Sequence, residues 1–322
     1  MGYQWIPGVG PKQEALMRMI ANSSRPSFPM GEAWFMGTER KMYSYLMMQN
    51  LEELEIGKLL EPLEAIASGT SCFGYHEEWC LWFDYLLPRL IPMALDQKYY
   101  VIYDNAVYEL LVTALISQFP SGIGEEKYKG FREDVLNTLG SVMMSPLRWN
   151  DGLIIMNRIL HHAPSSDGGG WGWWAVNGEL SAALFCCLKY LNKSEIRMWA
   201  YSVFLISDPH WRSQVLVWLV GAHEVLSYPG KQPSDFNKKV PVGWAMAHCL
   251  KGNYTGNLEN KSCVVPFIKC ENRNEFLSAL YEYITLDVLL DWKISIEKVE
   301  YLGFESLPII EKLDQLYSFK ER

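Results

Sequence analysis

Residues 177–228, NGELSAALFCCLKYLNKSEIRMWAYSVFLISDPHWRSQVLVWLVGAHEVLSY, decide the fold. Leu180, Ala183, Leu184, Cys187, Leu188 and Leu191 recur at helical spacing, which gathers them on one face of an α-helix. Asn177 is placed to cap the start of that helix and Asn192 its end. Ser194 stands where a second helix needs an N-cap, and Ile196, Trp199, Ala200, Val203 and Phe204 form the apolar face that follows. Asp208-Pro209 opens a third helix. The carboxylate accepts from first-turn N–H groups, and proline loses nothing where the N–H has no helical partner. Trp211, Val215, Trp218, Leu219, Ala222 and Leu226 line this third face, and Tyr228-Pro229-Gly230 stops it. Links of a few residues force neighbouring helices to pack antiparallel or at steep angles.

Working outward, the same signature recurs. Asn105 precedes Val107, Leu110, Leu111, Ala114 and Leu115, a run ended by Phe119-Pro120-Ser121-Gly122. Phe131, Val135, Leu136, Leu139, Val142 and Met143 make its partner, stopped near Pro146. Thr38 caps a long helix carrying Met42, Tyr45, Leu46 and Gln49. Asn272 with Glu275 resembles a capping box before Phe276, Leu277, Leu280, Ile284 and Val288. Ser306 starts a last helix through Ile309, Ile310, Leu313 and Leu316. Sustained β-alternation is absent; Val264 to Ile268 is the one short candidate, and it contains Pro266. The pattern predicts an all-α protein, a single domain over 1–322 interrupted by irregular segments at 161–176 and 231–270. Loops this long are usually functional or mobile.

The apolar fraction of 49% and charged fraction of 20% are those of a globular chain, and 322 residues bury a core without disulfides. The net charge of −8, with no dense Lys/Arg cluster, disfavours a nucleic-acid partner and favours a basic protein. Seven cysteines without framework spacing, two of them adjacent inside an apolar helix (Cys186, Cys187), read as buried free thiols of a reducing compartment. The start, Met1-Gly2-Tyr3-Gln4-Trp5-Ile6, lacks a signal-peptide pattern, and the tract from Tyr201 to Leu226 is cut by Ser207-Asp208-Pro209-His210 and Arg212. The expectation is a cytoplasmic protein without a membrane span, in which the sequons at Asn192, Asn253 and Asn260 carry no meaning.

Asp208-Pro209-His210-Trp211-Arg212 resembles the start of a HEAT-type helical repeat. Such repeats often open a helix with Asp or Pro and place an Arg early in it, as Asp208, Pro209 and Arg212 do. The resemblance covers residues 177–228; elsewhere it is a rhythm of helical pairs, and no regular period of ~40 residues runs through the chain. It implies an irregular stack of helical pairs, an α-solenoid or α/α bundle, with a concave face for binding.

Candidate chemistry is sparse. Cys72, His76 and Cys80 fall at i, i+4 and i+8, but Gly69 to Gly74 is turn-like, and three ligands along two turns splay too widely for one ion. His248, Cys249, Cys263 and Cys270 match no paired-knuckle spacing. Neither set is read as a metal site, and no cofactor is expected. His161-His162, Ser165, Ser166 and Asp167 precede or flank Gly168-Gly169-Gly170, yet the nucleophile elbow and the Lys-Ser/Thr of a phosphate loop are both missing. Glu77, Glu78, Asp84, Asp167 and Glu179 lie near tryptophans, as the paired acids of helical-barrel glycosidases do. Trp199, Trp211 and Trp218 occupy inward helical positions. Trp171, Trp173 and Trp174 sit in a glycine-rich loop where helix packing does not account for them; they either plug the helices or present a binding surface.

These readings converge on protein binding, with Trp171, Trp173, Trp174, Asp167 and Glu179 as the binding residues and no catalytic ones. In general character the chain is similar to bacterial immunity proteins, which implies a partner such as a basic toxin domain. Two alternatives remain open: a helical-barrel hydrolase acting on a glycan, and a structural subunit of a larger assembly.

Overall fold

The computed structural model describes residues 2–30, 43–69, 76–95, 106–125, 127–155, 163–164, 171–172, 178–235, 244–250, 266–298 and 306–320. Among them are thirteen α-helices and two two-stranded ladders, so the fold is all-α. The chain divides into two compact units. The first comprises Met1–Gly10, Ser141–Trp244 and Pro266–Arg322, and the second Pro11–Gly140 and Ala245–Val265.

The second unit holds α1 (Gln13–Ala21), α2 (Tyr45–Met48), α3 (Ile56–Gly69), α4 (His76–Leu90), α5 (Ala106–Gln118) and α6 (Phe131–Asn137). Its core helix is α5, in which Val107, Tyr108 and every residue from Leu110 to Ser117 are buried. The nearest backbones to α5 are α3 and the 3-10 segment Ala245–Leu250, while α6 lies against α1. The sequence pairs Phe131 and its followers with the α5 run, and the two do touch: Tyr108 of α5 donates to the Leu139 carbonyl at 2.9 Å and the Phe119 ring lies 5.9 Å from Phe131, while α6 itself also lies along α1. Polar ties fix these contacts. Ser117 Oγ donates to the Ala67 carbonyl at 2.7 Å, and Arg18 clasps the buried Asp134 through Nε (3.1 Å) and Nη2 (2.6 Å). Of the helix expected from Thr38, Thr38 and Met42 lie outside the described residues; from Tyr43, whose φ of 53° is left-handed, the described chain runs into the single turn of α2.

The first unit holds a hairpin of β1 (Trp149–Asn150) and β2 (Leu153–Ile154), a ladder of β3 (Ala163–Pro164) and β4 (Trp171–Gly172), and seven helices. These are α7 (Gly178–Tyr190), α8 (Lys193–Phe204), α9 (Pro209–Gly221), α10 (His223–Ser227), α11 (Cys270–Tyr283), α12 (Leu286–Glu297) and α13 (Ser306–Lys320). The closest backbone approaches bring α8 to α11, and α9 to α12 and α13. Asp208 caps α9 as its sequence implies, accepting the Trp211 N–H at 2.9 Å, with Pro209 in the first turn. The second cap is Asn192, two residues before the expected Ser194; the Asn192 N–H donates to Glu195 Oε2 at 2.8 Å in a capping box.

Two expectations near α11 change. The run read as one helix from Phe276 to Val288 breaks at Ile284, and Thr285 caps α12 by accepting the Val288 N–H at 3.3 Å. Asn272 is no cap of its own helix, which begins at Cys270. It is fully buried, and its amide donates to the carbonyls of Leu188 (2.9 Å) and Leu191 (2.7 Å), satisfying acceptors that the end of α7 leaves open.

The core of this unit is aromatic. Trp5 lies edge-on to Trp199 (5.7 Å) and to Trp211 (5.9 Å), and Trp149 lies 5.5 Å from Trp211. Phe185 meets Trp218 at 5.1 Å, and Phe276 meets Trp199 at 5.9 Å. Edge-to-face packing sets the positive rim of one ring against the negative face of the next. The segment carrying Trp5 is pinned where its N–H donates to Ser202 Oγ at 2.9 Å. Gly10 closes this segment with φ 61°, and a Cβ there would come within 2.7 Å of the Ser145 Cα. Trp5→Ala should therefore cost about 3–5 kcal/mol, read as a lowered denaturation midpoint of the first unit. A loss below ~1 kcal/mol would place Trp5 outside the core.

Candidate functional site

Trp171 lies in β4, its backbone paired with Pro164. Trp173, Trp174 and Asp167 fall outside the described residues, as do His161, His162, Ser165, Ser166, Cys72 and Cys263. His76 begins α4, where Cys80 donates to Gln118 Oε1 at 2.9 Å; the Cys249 thiol lies 3.5 Å from His248 Nε2, and Cys270 is exposed. Among the described residues no three His, Cys, Asp or Glu side chains come together as a metal set. Asp84 contacts Lys127 Nζ at 2.5 Å; burial raises its pKa while Lys127 opposes that.

Glu179 is in the first turn of α7 and is interior rather than superficial. Its Oε2 accepts from Arg148 Nη1 at 2.7 Å, and each side chain is 2% exposed. The N-terminal end of a helix favours a carboxylate there, and a buried charge needs its counter-ion. Arg148 sits at the foot of the β1–β2 hairpin, its carbonyl accepting the Ile155 N–H at 2.9 Å. Asp151 (φ 49°) and Gly152 (φ 77°) make the two-residue turn, the left-handed pair that matches strand twist. Asp208 Oδ2 accepts the Ile154 N–H at 3.1 Å, so two buried acids anchor this hairpin. Above the anchors, Leu147, Leu153 and Ile155 are solvent-exposed.

The surface missed by sequence reading is on α12. Leu289, Trp292 and Ile296 face the core, while Leu286 (68% exposed), Leu290 (56%) and Ile294 (43%) form a second apolar row in solvent. Spacing of i, i+4, i+8 puts the three on one stripe. Asp287 and Asp291 run beside it, Asp291 joined to Arg212 Nη1 at 2.9 Å, with Lys293 and Glu297 3.9 Å apart. A helix needs one apolar face to dock on its own core; the second face is the signal, and it was legible as the Leu286, Leu290, Ile294 spacing. Among the described residues no helix is long and apolar enough to cross a membrane.

No protein-family model, curated protein or solved structure matches the chain.

Breaking the buried pair should be costly from either side. Arg148→Met or Glu179→Gln alone is expected to destabilise the first unit by about 3–5 kcal/mol, and a double-mutant cycle in urea should return a coupling of about 1–3 kcal/mol. Additive losses would show that the two side chains do not hold each other.

Proposed function

We propose that this chain is a protein-binding helical scaffold whose partner is a basic domain, in the manner of immunity proteins that neutralise a toxin. The observation that carries the reading is the solvent-facing row of Leu286, Leu290 and Ile294 on α12. An exposed apolar stripe costs solubility unless something covers it, and such stripes mark protein contacts. Helical faces of this kind are read by partners at i and i+4 anchors. The acidic balance of the chain, −8, and the Asp287 carboxylate beside the row support a basic partner over an acidic one.

A tagged chain recovered from its own cells should bring down one stoichiometric partner, retained less well as salt is raised. Leu290→Lys should weaken that complex at least ~10-fold while leaving the melting temperature unchanged, since the side chain is in solvent. For the immunity reading, a gene beside this one should be toxic when expressed alone and harmless when co-expressed. Recovery of the same partner in the same ratio by the Leu290→Lys chain contradicts the role of this row. Recovery of no stoichiometric partner contradicts the scaffold reading as a whole.

A further inference from the structure

Two arginines of the second unit share one tyrosine. Arg25 follows α1; its Nε donates to the Tyr85 hydroxyl at 2.9 Å, and its Nη1 and Nη2 donate to the Met47 (3.3 Å) and Gln49 (3.1 Å) carbonyls at the end of α2. Arg89, one turn beyond Tyr85 on α4, lies over the Tyr85 ring with its Cζ 4.0 Å from the centroid. Its Nη1 donates to Ser23 Oγ at 2.9 Å and to the Tyr85 carbonyl at 2.8 Å, and its Nη2 to the Ser23 carbonyl at 3.1 Å. Tyr85 is buried, while both arginines keep part of their surface in solvent.

Every acceptor in this cluster is neutral. Arg18, Arg148, Arg197 and Arg212 each hold a carboxylate, whereas among the described residues Arg25 and Arg89 hold none. A carbonyl or hydroxyl satisfies an N–H but leaves the unit charge in place, and a guanidinium keeps its proton at any ordinary pH. Burial, opposed by Tyr85 and aided by Arg25, lowers the Arg89 pKa, so the two cations feel each other. The same bonds hold both groups still. A guanidinium carries five N–H donors in a planar fork; three are used on each arginine, which leaves two on each for a ligand.

We infer that Arg25 and Arg89 form a binding site for a phosphate group, free or as a monoester of a small molecule. A phosphate carries a charge of about −1.5 to −2 at neutral pH, so it neutralises both cations where a carboxylate neutralises one. Its oxygens match the paired N–H groups of the guanidinium fork. The net charge of −8 repels small anions from the chain as a whole, so a phosphate is held only where cations are fixed locally. This site is in the second unit and is independent of the α12 row, which belongs to the first.

Titration of the full chain with inorganic phosphate and with glycerol 1-phosphate, at constant ionic strength, tests the site. The nitrogen-15 Nε resonances of Arg25 and Arg89 should move together and saturate with a midpoint below ~10 mM, while those of Arg18 and Arg197, held by carboxylates, stay in place. Saturation by either probe supports the site, and the tighter of the two names its source. Acetate should bind at least ~10-fold more weakly. Arg25→Gln, which keeps an amide donor without the charge, should weaken phosphate binding at least ~10-fold; the parent titration decides the matter even where that variant does not fold. The proposal is overturned if neither arginine responds, if acetate acts as phosphate does, or if a folded Arg25→Gln chain binds phosphate as the parent does.

Discussion

The first unit depends on the two oxygens of Asp208. The helix it caps, α9, is buried from Trp211 through Val220; Arg212 ties its first turn sideways to Asp291 at 2.9 Å, and Asp208 fixes where that turn begins. Asp208 Oδ1 takes the Trp211 N–H and starts the helix; Oδ2 takes the Ile154 N–H and fixes the hairpin against the same point. Trp211 Nε1, donating to the Val203 carbonyl at 2.9 Å, ties that first turn to the end of α8. Trp5 and Trp149 then pack on the ring so placed.

The same economy runs through the other buried polar groups of this unit. Arg148 with Glu179, Asn272 with two α7 carbonyls, and Lys189 with Phe267 each join segments far apart in the chain. Apolar burial supplies most of the driving force but is non-directional. Buried donors and acceptors left unpaired are expensive, so these ties select one arrangement of the aromatic core over near-equivalent packings. The exposed face of α12 stands outside this scheme, since Leu286, Leu290 and Ile294 are not used by their own unit.

What was legible in the sequence was local. The Asp208-Pro209 start of α9 could be read because a cap and its N–H donors are three residues apart. The all-α class followed from helical spacing and from the lack of alternation. Asn272 misled for the converse reason. It stands three residues before a glutamate, as a capping residue does, but its partners lie more than eighty residues away. Glu179 looked like an accessible acid among tryptophans because Arg148, thirty-one residues earlier, leaves no local trace. Trp5, in the opening residues of the chain, gave no sign that it is one of the most enclosed side chains. The apolar row on α12 was written in the spacing, but the run read from Phe276 stopped at Val288, so Leu290 and Ile294 were not joined to Leu286.

The most direct test of this account is the denaturation of Asp208→Ala alongside amide exchange at Ile154 and Trp211. Loss of a buried cap and of a second buried acceptor should cost the first unit about 2–4 kcal/mol. Both amides should lose protection together, although they belong to different elements. A stability within ~0.5 kcal/mol of the parent chain, or a loss of protection at Trp211 alone, would contradict the claim that one carboxylate sets both α9 and the hairpin.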